Sequence, residues 1–263
     1  LARSGERVVE GQLDLGRQDL PPPRMVQGEP VLAPAVLLEF VRVALGDAGT
    51  PVDLTLGPAV PFTRRVDLQL CLADAGTFEL FARADEAAWQ RLGGGRTQIA
   101  PAVQARGVVL ASPPLDLAAV DARGVVLASP PLDLAAVQAR CAALDDGHRE
   151  RQQARGLALS PALDVIDRVW RGEREALARL RPLGGQWAAT AAIAGGLELL
   201  AAQVFAADAF PVVGELFWPQ SLAEFTPPTA IAAWLHVALR GEVSDVLGAS
   251  GDVTLFDGVG HVV

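Results

Sequence analysis

Three histidines, His148, His236 and His261, two cysteines, Cys71 and Cys141, and one carboxylate inside an otherwise apolar stretch, Glu198, are the side chains best suited to proton transfer, nucleophilic attack or metal binding. A catalytic acid or base needs a pKa near neutrality and a partner facing it. His236 stands in Trp234-Leu235-His236-Val237-Ala238-Leu239, an alternating run that puts it on the face opposite Leu235, Val237 and Leu239, as a surface or packing residue. His148 lies in a polar linker, and His261 lies near the end of the last expected strand. Glu198 has two readings. Buried among apolar neighbours it gains acid–base capacity; at the end of its helix it points to solvent, and this exposed position is the one expected. The metal ligands are too few and too scattered for a site. Two cysteines form neither a disulfide framework nor a metal cluster, which suits a reducing cytosol. Gly93-Gly94-Gly95 is not followed by the Lys-Ser/Thr of a phosphate loop, no GxGxxG is present, and the triple glycine reads as a flexible loop. Ser160 has no GxSxG context. No cofactor is implied.

The elements that would position these residues follow from periodicity. Residues 6–15 read as a first strand. Pro34 suits the first turn of a helix, where its missing N–H costs nothing, and Leu37, Phe40, Val41, Ala44 and Leu45 recur at helical spacing until Gly46. Strands are expected over 52–60, 65–72 and 77–84. The pattern then recurs: strands over 163–171 and 175–183, a central helix over 187–205, and strands over 212–217, 230–240 and 253–263, the last a hairpin through Asp257-Gly258. The run 175–183 is also compatible with a helix by propensity.

Between the halves is an exact tandem copy. ARGVVLASPPLDLAAV runs from Ala105 to Val120 and again from Ala122 to Val137, an offset of 17 residues. Drift erases identity quickly, so the copy marks a recent duplication or an assembly error in the sequence; two units are too few for a solenoid. The Val-Val-Leu of each copy is hazardous as an unpaired edge. The upstream copy is expected to pair with the first half, and 122–137 to form an added linker or a second edge.

Hydrophobic residues make up 51% of the 263, enough for a buried core. A net charge of −9 and a pI near 4.9 argue against nucleic acid and anionic membranes as partners. The one basic run, His148 to Arg151 with Arg155, reads as a solvated linker. Residues 187–210 are apolar but carry Glu198 and Asp208, favouring a buried soluble helix over a membrane span. The first seven residues lack the apolar core of a signal peptide and read as a domain boundary. The chain contains no Lys, Asn or Tyr, a bias expected of a GC-rich bacterial gene.

The segment Arg24-Met25-Val26-Gln27-Gly28-Glu29-Pro30-Val31-Leu32-Ala33-Pro34 resembles the HxxxGxxxxP motif of polyketide synthase dehydratase domains. Leu159-Ser160-Pro161-Ala162-Leu163 resembles their YGPxF, and Gln186 to Gly195 lies where they carry HPALLDxxxQ or HPALLDxxxH. Val169 to Gly172 and Asp252 to Asp257 also resemble family strands, so the likeness covers nearly the whole chain. It implies an α+β double hotdog of two antiparallel sheets, each wrapped around a central helix. The domain layout is then a first hotdog over 1–120, a linker with the duplicated segment over 121–155 and a second hotdog over 156–263.

In that family the motif histidine removes the α-proton of a β-hydroxyacyl thioester and the helix aspartate protonates the departing hydroxyl. Here the histidine position is Arg24, whose guanidinium keeps its proton in proteins. The aspartate position is Ala191, and the Gln or His one turn later is Gly195. The tyrosine is Leu159, and Ala33 stands at the motif proline with Pro34 next, while Gly28 and Pro161 match. An acid and a base each contribute about 100- to 10,000-fold, so their joint loss removes most of the acceleration. The resemblance thus implies a pseudo-dehydratase of a modular polyketide synthase, with a structural or substrate-positioning role. Its implied partners are an acyl carrier protein bearing a phosphopantetheine-bound chain, neighbouring synthase domains and a second copy in a homodimer, in the cytoplasm. Two alternatives are a dehydratase-fold isomerase or cyclase, and a module that shelters the acyl chain. Glu198, at i+7 from Ala191, is the carboxylate expected near the pocket.

Overall fold

Alternation of apolar and polar residues sets the first sheet. In β5 (Arg65–Leu72) and β6 (Thr77–Ala84) the even-numbered side chains Val66, Leu68, Leu70, Phe78, Leu80 and Ala82 are buried, giving one wet and one dry face. The dry face is covered by α1 (Pro34–Leu45), which begins at Pro34 without a side-chain cap and ends where Gly46 turns to φ 52°. Around this pair lie β1 (Arg7–Asp14), β4 (Thr50–Leu56), β7 (Gln90–Gln98) and β12 (Ser221–Glu224), in the antiparallel order β1-β5-β6-β7-β4-β12. A three-stranded ribbon, β3-β2-β9, is built from β2 (Arg24–Val26), β3 (Glu29–Val31) and β9 (Leu157–Ala158).

The computed structural model describes residues 7–14, 24–26, 29–46, 49–57, 59–62, 64–85, 87–98, 131–143, 157–158, 164–182, 184–185, 187–205, 221–225, 228, 230–244 and 248–263. They fall into two compact units, one of residues 7–98 with 157–164 and 221–225, the other of 131–143, 165–205 and 228–263.

In the second unit the order is β14-β13-β11-β10-β8, again antiparallel, from β8 (Ala142–Ala143), β10 (Ile166–Arg171), β11 (Glu175–Leu180), β13 (Trp234–Ser244) and β14 (Gly248–Phe256). The central helix here, α3 (Ala188–Phe205), packs on β11, β13 and β14. It sits close because of Gly196, where a Cβ would stand 2.5 Å from Val253 Cγ1. Leu177, Leu235 and Val237 are fully buried in this sheet. The outer face carries Trp170 and Trp234, their ring centroids 5.6 Å apart, and is covered by a short helix, α2 (Leu134–Arg140).

Three expectations need correction. The triple glycine is a strand, not a flexible loop: Gly93 to Gly95 lie in β7 between β4 and β6. They are glycines because a Cβ on Gly93 would run into the Thr55 carbonyl, and one on Gly94 would stand 2.5 Å from the Phe78 carbonyl oxygen. The described end of the duplicated segment, residues 131–137, is neither linker nor sheet edge. It enters α2, with Asp133 Oδ1 accepting from Ala136 N–H, because Leu132, Leu134 and Val137 find an apolar surface on Leu177, Trp170 and Trp234. The last strand ends at Phe256. The expected reversal through Asp257-Gly258 is nevertheless present: Asp257 holds the turn by accepting from the N–H groups of Val259 and His261, and the chain returns with Phe256 bridging Val262 and Val263 N–H donating to Leu255 O at 3.1 Å. Residues 175–180 are strand, and the expected strand over 212–217 lies outside the described residues, as does the upstream copy 105–120.

Candidate functional site

Arg24 opens β2, opposite Val31 of β3, and the hairpin delivers the chain into α1. Val31 bridges Pro61, Leu32 N–H donates to Val60 O at 2.9 Å and Phe62 N–H donates to Pro30 O at 2.9 Å, so the approach to the helix is fixed on both sides. Ala33 is buried and its carbonyl receives the first helical N–H, from Val36. Arg24 itself is only 4% exposed. Its Nε and Nη2 are fully enclosed, and the residue keeps further interactions. The other face of β2 pairs with β9, Met25 opposite Ala158 and Val26 opposite Leu157. The pairing brings the strand of Arg24 beside the segment that runs into Leu159, two regions more than 130 positions apart. Leu159, Pro161 and Gly28 lie outside the described residues.

In the second unit, Ala191, Gly195 and Glu198 all fall on α3, with the spacing expected of one helical face. Ala191 is 3% exposed. At Gly195 a Cβ would meet Val165 Cγ2 at 3.2 Å, Ile166 Cγ1 at 3.7 Å and Leu235 Cδ1 at 3.8 Å, so the volume beside it is filled by aliphatic side chains. Glu198 is 7% exposed, which overturns the exposed reading: it lies mid-helix rather than at the end, inside a helix buried almost all round. Two polar residues of α3 were not singled out by sequence. Thr190 is fully buried with no hydrogen-bond partner for Oγ1 among the described residues. Gln203 ties the helix to the β10–β11 turn, donating to Gly172 O and Glu173 O and accepting from Arg171 Nε. A polar residue at i+5 from Glu198 on an apolar helix is the only sequence signal for Gln203.

The carboxylate perturbed furthest lies elsewhere, on the outer face of the second sheet. Glu175 accepts from Arg140 Nε at 2.5 Å and Nη2 at 2.8 Å, and lies 2.9 Å from His236 Nε2. The arginine, with the histidine as a weaker partner, holds its pKa down at about 2 against the opposing effect of burial. His236 is thereby a packing histidine under α2. Burial pushes the neighbouring Cys141 thiol up, the direction of an inert structural cysteine. In the first unit Asp67 is held low by Arg83 against desolvation, with help from Arg65 and Gln12, on the outer face of its sheet. His261 is exposed beside Asp257, and His148 lies outside the described residues. Among the described residues no group of three or more His, Cys, Asp or Glu is placed to hold a metal ion, and no helix is long and apolar enough to cross a membrane.

No protein-family model and no curated protein matches the sequence. Solved structures do. An inactive mutant of the CurJ dehydratase in complex with a compound, 16% identical, superposes with a TM-score of 0.75 over 98% of this chain and 88% of that one. A trans-AT polyketide synthase dehydratase domain from Brevibacillus brevis, 18% identical, gives 0.70 over 99% and 91%. An inactive mutant of the CurK dehydratase, 13% identical, gives 0.68 over 98% and 88%. Two antiparallel sheets, each wrapped on one helix, together with these superpositions over nearly the full length, establish that this chain has the double-hotdog fold of polyketide synthase dehydratase domains.

Proposed function

We propose that the chain is a non-catalytic, dehydratase-like domain of a modular polyketide synthase, kept to shape the multienzyme and to position neighbouring domains and the carrier protein. The observation that carries this reading is the pair of residues at the two motif positions for proton transfer. Position 24, on the strand before the first helix, holds an enclosed guanidinium, and position 191, on the second helix, holds a buried methyl group. Neither takes or gives a proton in the range where a dehydratase works. The CurJ and CurK mutants that share this fold are described as inactive with a histidine changed to phenylalanine in one and an aspartate changed to asparagine in the other. Those losses are of the two residue types missing here. The aliphatic packing beside Gly195 supports a structural role over an acyl-sheltering tunnel at that position. The carrier-bound acyl chain, a homodimeric assembly and a cytoplasmic setting belong to the same proposal.

One observation favours a second reading, an isomerase or cyclase on the same fold. Glu198 is a buried carboxylate on the helix of Ala191. The test that separates the two is incubation with a carrier-bound 3-hydroxyacyl substrate, followed by mass spectrometry for loss of water and by chromatography for isomers of unchanged mass. Unchanged substrate supports the non-catalytic domain. A product that disappears in Glu198→Gln supports the enzyme.

A further inference from the structure

The pairing of β10 with β11 gathers arginines that the sequence keeps apart. Arg168 and Arg179 stand opposite each other in the register, and strand alternation puts both on the outer face, with Trp170 two residues on and Trp234 opposite Arg179 on β13. Arg181 follows β11, and its N–H donates to Val165 O at 2.8 Å, which carries the pairing one residue further. All three arginines are exposed. The two indoles are half-buried, because α2 covers Leu177 fully and these rings only in part. Asp167 takes Arg179, accepting from its Nε at 2.7 Å. The guanidinium of Arg168 lies instead over Trp170, 5.6 Å from the ring centroid. Like charges opposite one another on neighbouring strands repel, and one carboxylate offsets only part of this excess. The result is a cationic, aromatic patch on a chain whose net charge is −9.

We infer that this patch is a docking surface for an acidic protein segment that carries an apolar side chain among its carboxylates. Arginine and tryptophan are enriched among the residues from which protein interfaces draw most of their binding energy. Here they stand together: the indole pair supplies an apolar floor, and Arg168, Arg179 and Arg181 supply the cations beside it. The carboxylates of the partner meet Arg168 and Arg181, and its apolar side chain rests on Trp170 and Trp234. The sign of the remaining surface selects the class of partner. Charge acts over about 8 Å at physiological salt, so a short segment seated within the patch is drawn by the arginines and screened from the acidic remainder. A membrane or a nucleic acid extends beyond the patch and meets that acidic remainder. The inference is independent of whether the domain is catalytic.

The test uses the whole chain and synthetic peptides of equal length: glutamates around a central leucine, lysines around a central leucine, and glutamates around a central serine. Tryptophan fluorescence follows binding, since two of the five indoles lie in the patch. The glutamate–leucine peptide is expected to bind, less tightly as salt is raised, and the other two to bind at least about ten-fold more weakly. Arg168→Glu with Arg181→Glu should weaken the glutamate–leucine peptide by about ten-fold or more. Arg7→Glu with Arg64→Glu makes the same change in net charge at exposed positions of the first unit and should leave its affinity within about two-fold. Arg168→Gln with Arg181→Gln removes the charges without reversing them, and should weaken binding while melting like the parent, which separates loss of the patch from loss of the fold. Absence of binding by the glutamate–leucine peptide, affinity unchanged in the Gln pair, or an equal loss in the Arg7 and Arg64 pair overturns the inference. Tighter binding to vesicles of phosphatidylcholine with phosphatidylglycerol, lost in the same Gln pair, also overturns it and makes the surface a membrane contact.

Discussion

Replacing Glu175 by Gln keeps the shape of the side chain and removes the charge that holds Arg140, and with it α2, on the sheet. The carboxyl sits at about 2 instead of 4.5. At 1.36 kcal/mol per pKa unit the ceiling on its contribution is about 3 kcal/mol. The Arg140 side chain is 51% exposed and that of Glu175 is 21% exposed, so solvent screening brings the expected loss to about 1–2 kcal/mol at neutral pH. For a domain of this size that is a fall in Tm of about 2–6 °C. The sign with pH follows from a depressed carboxylate: the contribution is complete above the unfolded value of 4.5 and is lost as pH falls through 2. At pH 3 only about two-fifths of it remains. Urea denaturation of the parent and Glu175→Gln at pH 5.5 and pH 3.0 therefore gives a large difference at the first pH and a small one at the second. Equal differences at both would show that the residue acts through packing, and no difference at pH 5.5 would remove the clamp from the account.

Two further perturbations follow from close approach and burial. Gly93→Ala drives a methyl group into the Thr55 carbonyl across the β4–β7 pairing and is expected to cost about 3 kcal/mol or more, read by urea titration. Ala191→Asp places a carboxylate at a site 3% exposed and should cost about 2–4 kcal/mol at pH 7, with the loss shrinking as the pH falls and the group is protonated.

The sequence was most legible where one periodicity acted alone. β5 and β6 carry clean alternation, and their bounds coincide with the expected 65–72 and 77–84. The helix from Pro34 was readable from a proline at its first turn and a glycine at its end. β7 was hidden because its glycines have no side chains to alternate; what they register is the nearness of the Thr55 and Phe78 carbonyls, a tertiary fact. The burial of Glu198 was missed for a related reason. An almost wholly apolar helix has no polar face to orient it, so one carboxylate gives no direction. The Arg140–Glu175–His236 cluster joins residues 35 and 61 positions apart, and no local pattern links them. The pairing of β2 with β9, which sets Met25 beside Ala158, has no local signal in the sequence and needed the fold.

The central claim is that positions 24 and 191 leave no dehydration chemistry. The most direct measurement gives the unmodified domain carrier-bound 3-hydroxyacyl substrates of both configurations and follows loss of water by mass spectrometry against a no-protein control. The account predicts the rate of the control. Turnover well above it, abolished in Glu198→Gln and retained in Thr190→Val, would contradict the account and make the buried carboxylate of α3 the catalytic acid.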